Sequence, residues 1–322
     1  MINFSVAILT YGKRFSFLSS VLDNLLVQEL TCIYLFCNGL ESQDERRIKE
    51  AYNDHRIVYL SSNRNLGSAG GYFQLLSYIY GNDTADYLLL LDDDNLVEKN
   101  FFAQVANFTL DTNELVCFSR PDRDVLMRAV SYGNPRLVLG PKNGFLGHSI
   151  FGYTEDRDTQ IDGDLVAAPY GGLLIPASVY SSGLLPDQKL YLYGDDYDYT
   201  HRLCVNFGYR IRYVSDPKIT DLERSFHIKK THFRGFMNNR YSLANDQQLF
   251  FSVRNQVYLS WRDGNCRFCA FVNMVVYLPV YITQFILRGQ VAKALLFLKS
   301  VYAGLLFGSS RKRIAGEDDK NF

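Results

Sequence analysis

The chain has 322 residues, enough for one large α/β domain with a smaller appendage or for two modest domains. With 47% hydrophobic and 21% charged residues it can bury a substantial core, which excludes a mostly disordered chain. Lysine plus arginine and aspartate plus glutamate each total 34, a balance that argues against nucleic acid as a partner.

Phe4 to Leu9 is a short apolar run ending at Thr10-Tyr11-Gly12, and it reads as a buried strand entering a loop. Phe15 to Gln28 carries Leu18, Val21, Leu22, Leu25 and Leu26 at helical spacing. A second strand, Thr31 to Cys37, stops at the turn signal Asn38-Gly39. Glu41 to Tyr52 reads as a charged helix and Arg56 to Leu60 as a third strand. Asn63 to Gly71 reads as a glycine-rich loop, followed by a helix through Tyr80. Tyr87 to Leu91 is a continuous apolar strand that runs into Asp92-Asp93-Asp94. Strands alternating with helices predict an α/β fold whose parallel sheet is covered on both faces.

Residues 110–170 hold many turn signals, among them Pro121-Asp122, Gly133-Asn134-Pro135, Gly140-Pro141 and Asn143-Gly144. They predict long loops or short antiparallel strands over the sheet. A second ordered block begins at Tyr170-Gly171-Gly172 and continues to Gly194-Asp195-Asp196, ahead of helical spacing through Leu203 and Phe207. The expected domain boundary divides residues 1–235 from a C-terminal helical region, 236–322. There Arg254 to Trp261 reads as helix, and Phe268 to Leu287 is nearly continuous apolar sequence. Val291 to Phe307 is a second apolar segment, running towards Arg311-Lys312-Arg313. Asn273, Pro279, Thr283 and Gln284 interrupt the first segment, so peripheral membrane contact through interfacial helices is expected. A true span, a buried helical subdomain or an interface of a homo-oligomer are the alternatives. The start of the chain carries no signal-peptide pattern, and a cytoplasmic, thiol-reducing setting is the expectation, on the inner face of the cytoplasmic membrane. Cys32 and Cys37 read as small buried hydrophobes, and Cys266-x-x-Cys269 lacks the second Cys/His pair of a structural zinc site.

The chemistry concentrates in two acidic clusters. A buried parallel strand delivers Asp92-Asp93-Asp94 to the crevice where α/β sheets bind ligands. Three adjacent carboxylates repel one another, need a compensating cation and suit Mg2+ or Mn2+ bridged to a substrate diphosphate. The Asn63 to Gly71 loop offers small residues and a helix start to a phosphate, and Arg64 reads either as a phosphate partner or as a structural pair. Asp195-Asp196-Tyr197-Asp198 opens a helix. Capping and the macrodipole explain one acid there, whereas three in four positions exceed a cap and allow one to act as a general base.

Taken in order, Val6 to Tyr11, the Asn65-x-Gly67-x-x-Gly70-Gly71 loop, Asp92-Asp93-Asp94, Gly171-Gly172 and Asp195-Asp196-x-Asp198 with Arg202 resemble family-2 glycosyltransferases of the GT-A fold. The likeness covers about residues 4–260, and bacterial galactofuranosyltransferases and rhamnosyltransferases are the most similar groups. The resemblance implies an inverting transfer of a sugar from a nucleotide-sugar donor to a glycan or lipid-linked acceptor, with UDP-galactofuranose the leading donor. It implies Asp92 and Asp94 as ligands of Mn2+ (or Mg2+), completed by His227, with His232 and Asp221 as further candidates. It implies Asp196 as catalytic base, and Thr10, Tyr11, Asn38, Arg64, Asn65, Gly67 and Asp93 on the donor. Gly171, Gly172 and Asp195 would face the reacting sugars. The chain departs from many relatives where Phe36-Cys37-Asn38-Gly39 replaces an aspartate. A sugar nucleotidyltransferase and a non-catalytic sugar-binding protein are the rival readings. Thr10-Tyr11-Gly12-Lys13-Arg14 makes a poor basic phosphate loop for the first, and a binding module would not require both acid clusters.

Overall fold

The computed structural model describes residues 2–121, 124–152, 164–223 and 239–318. They form two compact units. One comprises Met1–Val138, Gln160–Tyr191 and Asp195–Arg224; the other comprises Leu139–Thr159, Leu192–Gly194 and Ser225–Phe322.

The first unit opens with the alternation expected from the sequence: β1 (Phe4–Thr10), α1 (Phe15–Leu26), β2 (Cys32–Asn38), α2 (Ser42–Ala51), β3 (Ile57–Ser62), α3 (Gly67–Asn82) and β4 (Tyr87–Asp92). The central strands are apolar throughout because both faces are covered. Ala7, Leu9, Leu88 and Leu90 pack with Tyr72, Leu75, Leu76 and Ile79 of α3. Val6, Ile8, Leu89 and Leu91 pack on the other face with Leu18, Leu22 and Leu25 of α1. Full burial of one such leucine or isoleucine contributes about 1.5–3 kcal/mol. These two layers, rather than helix propensity, hold the sheet.

After β4 come β5 (Asn95–Val97), α4 (Phe101–Val105), β6 (Glu114–Phe118), α5 (Asp124–Ser131), β7 (Leu173–Pro176), α6 (Asp195–Phe207), β8 (Arg210–Val214) and β9 (Ile219–Asp221). The main sheet has seven strands in the order β3-β2-β1-β4-β7-β6-β8, and β7 alone runs against the others. A second, two-stranded sheet pairs β5 with β9 and sets Asn95 opposite Asp221. The expected mostly parallel α/β sheet is therefore present.

Three local expectations are corrected. The middle of the chain is more regular than its turn residues suggest: β6 joins the main sheet itself, and α5 follows where loops were expected. β8 and β9 carry too few apolar residues to announce themselves as strands. The glycine-rich stretch is not all loop, since α3 begins at Gly67. Gly67 takes φ +71, and a Cβ on it would strike the Tyr191 carbonyl; a Cβ on Gly71 would strike Leu9. Close packing, as much as ligand approach, accounts for glycine at these two positions.

The second unit contains α7 (Asp246–Asp263), α8 (Arg267–Leu287) and α9 (Val291–Asp318). Asn245 and Gln248 form a capping box at the start of α7. Tyr241, Leu249, Val253, Tyr281, Phe285 and Phe297 form the centre of its core. Cys266 and Cys269 are joined as a disulfide at the start of α8. Cys37 is buried as expected, but Cys32 is only half-buried.

Candidate active site

Parallel pairing sets Leu9 of β1 beside Asp92 of β4, so the residues after one strand meet the acids at the end of the other. Thr10 donates from Oγ1 to Asp93 Oδ2 at 2.7 Å, and Arg14 donates from Nε to Asp93 Oδ1 at 2.7 Å. The same guanidinium lies 3.2 Å from Asp94 Oδ2 and pairs with Glu223. Arg120, just after β6, is almost fully buried. It pairs with Asp221 at 2.6 Å, donates to the Gly171 carbonyl at 3.0 Å and lies 3.5 Å from Asp92 Oδ2. Five carboxylates thus share two guanidiniums, and the surplus of negative charge leaves scope for a divalent cation. The two arginines were not singled out from the sequence. Nothing around Arg14 or Arg120 marks them until the fold brings each to an acid 79 or 101 positions away.

Burial raises Asp93 to about 6, with Arg14 opposing the shift. Asp94 is raised to about 7, by burial first and then by the charge of Asp92. A carboxyl raised in the folded state binds its proton more tightly there than when unfolded. Its stabilising contribution is therefore complete below about pH 4 and is lost as pH rises through about 7. Asp94→Asn should accordingly stabilise the protein at pH 8 by ~1–2 kcal/mol after allowance for solvent screening, and by almost nothing at pH 4. Thermal unfolding at the two pH values checks this, and a loss of stability at pH 8 would refute it.

The second cluster sits at the start of α6. Asp195 is 2% exposed and accepts a hydrogen bond from Ser68 Oγ at 2.8 Å, while its Oδ2 has no hydrogen-bond partner among the described residues. Burial, reinforced by the charge of Asp196, pushes the Asp195 carboxyl well above the usual carboxylate range. Asp196 is half-buried at the second position of α6, where the helix N-terminus favours negative charge. Asp198 is buried and pairs with Arg202 one turn on at 2.8 Å, which commits it to structure.

Two buried tyrosines pack against each other near these acids. Tyr72 donates to the Leu91 carbonyl at 2.9 Å, and its ring centroid is 4.1 Å from that of Tyr170. After burial, the charges of Asp92, Asp195, Asp93 and Asp196 all raise Tyr72, and those of Asp195 and Asp196 raise Tyr170. Gly171, next in the chain, lies so close to Asp92, Asn95 and Arg120 that no Cβ fits. α3 thus joins the two clusters, with Tyr72 bonded to the carbonyl that precedes Asp92 and Ser68, one turn earlier, bonded to Asp195.

The remaining residues of interest divide. Asn38 is buried, donating to the Gly67 carbonyl at 2.9 Å and accepting from the Leu66 amide at 2.8 Å, while Asn65 accepts from the Gly67 amide. Asn38 therefore shapes the turn on which exposed Arg64 and Asn65 sit. Tyr11 is 46% exposed beside Arg14. Gly172 takes φ +86 behind Gly171. His227 and His232 lie outside the described residues. Among the described residues no three His, Cys, Asp or Glu side chains converge tightly enough to hold a metal ion. Asp221, a candidate ligand, is engaged by Arg120 and Asn95.

A model of the family described as glycosyltransferase like family 2 matches residues 3–238. The chain belongs to that family. It is a glycosyltransferase, and the matched residues contain both acid clusters of this family-2 enzyme. The chain is similar to the galactofuranosyltransferase GlfT1 of Mycolicibacterium smegmatis (strain ATCC 700084 / mc(2)155), at 24% identity over 271 residues, covering 80% of this chain and 83% of that protein. Among solved structures it is similar to the mannosyltransferase PcManGT from Pyrobaculum calidifontis in complex with GDP-Man and Mn2+. That likeness has 15% identity and a TM-score of 0.49, covering 97% of this chain and 80% of the other. It is also similar to S. aureus TarS 1-349 in complex with UDP-GlcNAc, with 11% identity and a TM-score of 0.48 over 97% and 92% of the two chains.

Proposed function

We propose that this enzyme transfers galactofuranose from UDP-galactofuranose, with inversion and with the help of Mn2+ or Mg2+, onto a glycan or lipid-linked acceptor in bacterial polysaccharide synthesis. The observation that carries the reading is that α3 touches both acid clusters: Tyr72 bonds to the Leu91 carbonyl beside Asp92, and Ser68 bonds to Asp195. The similarity to a galactofuranosyltransferase supports the choice of donor sugar.

The residues fit a divalent cation: hard oxygen donors, an acid surplus and a partly exposed Asp92 beside Asp94. Asp92 and Asp94 would hold it, and when bound it would neutralise charge on the departing diphosphate. Asn65 and Arg64, exposed on the turn that Asn38 braces, would meet the donor's phosphates or ribose, with Tyr11 and Gly67 along the same edge. Thr10 and Asp93 are tied to each other and to Arg14, so they support this edge from beneath. Asp196 accepts the proton of the acceptor hydroxyl as that oxygen attacks the anomeric carbon from the face opposite the leaving group, which inverts the configuration. Asp195 and the close-approach backbone of Gly171 and Gly172 would flank the reacting sugars. Incubation with a panel of nucleotide sugars and Mn2+ tests this: UDP-galactofuranose should release UDP fastest. No UDP release from any nucleotide sugar, with pyrophosphate release from UTP and a sugar 1-phosphate, would replace transfer with nucleotidyl chemistry.

The second unit supports a location at a lipid surface. α8 is the one described helix long and apolar enough to cross a membrane, and little of it is buried. Phe268, Phe271, Val275 and Ile286 form an outward stripe along α8; Val291, Leu295, Leu298, Tyr302 and Leu306 form another along α9. Water-facing helix sides are normally polar, and apolar stripes edged by exposed Arg267 and Lys299 suit insertion at an anionic interface. The full chain should co-float with anionic vesicles, and Phe271→Glu with Leu295→Glu should cut the bound fraction at least about fivefold. A dimer that these substitutions split, with no vesicle binding, would assign the stripes to a second copy instead.

A further inference from the structure

The arrangement of Arg14 adds a feature that rests on the metal-dependent reading above but is not implied by it. Its guanidinium bridges two adjacent carboxylates, with Nε on Asp93 at 2.7 Å and Nη2 3.2 Å from Asp94, while Nη1 pairs with Glu223. Thr10 fixes the far oxygen of Asp93, so the acid that orients Arg14 is itself immobilised. The guanidinium is further held over the rings of Tyr11 and Phe17, at 5.4 and 5.0 Å from their centroids. We propose that Arg14 is a built-in cation that guards Asp93 and Asp94 against free divalent ions, so that metal and nucleoside diphosphate enter together.

The electrostatics follow from charge and distance. A divalent ion approaching Asp94 alone meets a guanidinium already within hydrogen-bond reach of the same carboxylate, and like charges at such separations repel strongly in a partly buried site. A diphosphate brings the negative charge that lets both cations stay. Ion and nucleotide then bind with positive coupling, each raising the affinity of the other by the same factor. Arg120 cannot play this part, because its side chain is 2% exposed and locked on Asp221. Arg14 is more accessible, and its outer partner Glu223 is half-exposed.

The test measures Mn2+ binding by electron paramagnetic resonance on the full chain, first alone and then with UDP. Arg14→Gln, which can still donate to Asp93 but carries no charge, should bind Mn2+ alone at least about tenfold tighter than wild type, and the enhancement by UDP should shrink by a similar factor. Arg14→Lys, which keeps the charge but loses the fork and the ring stacking, should fall between wild type and Arg14→Gln. An Arg14→Gln affinity equal to or weaker than wild type overturns the proposal, as does Arg14→Lys binding as tightly as Arg14→Gln. If Arg14→Gln is unfolded without metal, Mn2+ should restore its far-UV spectrum by replacing the lost cation, and failure to do so also overturns it. A wild-type protein that binds no Mn2+ even with UDP would instead refute the metal-dependent reading, a result distinct from unchanged variant affinity.

Discussion

Asp196→Asn should lower the transfer rate by about 10²–10⁴-fold, the span associated with loss of a general base, while UDP affinity with Mn2+ stays within about twofold. The split follows from where the two acids of the pair sit. Asp195 is enclosed and bonded to Ser68, and burial pushes its carboxyl upward. Asp196 is less enclosed, at the second position of α6, where the helix N-terminus favours its charge. Only a carboxylate that is ionised before reaction can take the acceptor's proton. Asp195→Asn, an isosteric change that keeps an acceptor for Ser68, should cost far less, about tenfold or under. Pre-steady-state turnover with saturating donor separates the two variants from donor-binding defects. If Asp195→Asn proved as damaging as Asp196→Asn, the base would belong to the pair or to Asp195. A near-normal Asp196→Asn rate would remove the assignment.

What the sequence made legible follows from the range of the interactions involved. β1, β2, β3 and β4 were readable because strands covered on both faces are apolar without interruption, and the helices between them show 3.6-residue spacing. Both acid clusters were readable because each is local: three aspartates at a strand end, and three in four positions at a helix start. The partners of those acids were not. Arg14 reaches Asp93 across 79 positions, and Arg120 reaches Asp221 across 101. A lone arginine looks the same in sequence whether it is solvated or locked in an ion pair. The edge strand β8, Arg210-Ile211-Arg212-Tyr213-Val214, alternates charged and apolar residues over only five positions. Its pairing with β6 becomes evident only in the assembled sheet. The glycines in the first turns of α3 were legible as special but not their purpose, because a glycine that admits a ligand and one that admits the Tyr191 carbonyl leave the same mark.

Arg120→Met should destabilise the protein by about 3–5 kcal/mol, the cost of breaking a buried ion pair by removing one partner. Arg120 and Asp221 are each 2% exposed at the side chain, and the Gly171 carbonyl and Asp92 lean on the same guanidinium. Methionine fills a similar volume, so the loss reports charge and hydrogen bonding rather than a cavity. It leaves Asp221 buried without its guanidinium, and it removes the donor that fixes the chain at Gly171 beside Asp92. Asp221→Asn alone should be milder, because an amide keeps an acceptor for Arg120 while that cation still has Asp92. The double variant should be more stable than the sum of the single losses by about 2 kcal/mol or more, since the two groups are in direct contact. Urea unfolding of the four proteins completes the cycle. An Arg120→Met loss below about 1 kcal/mol, or additive losses in the double variant, would mean that the ion pair does not secure this edge of the sheet, and that Asp92 is positioned by its strand alone.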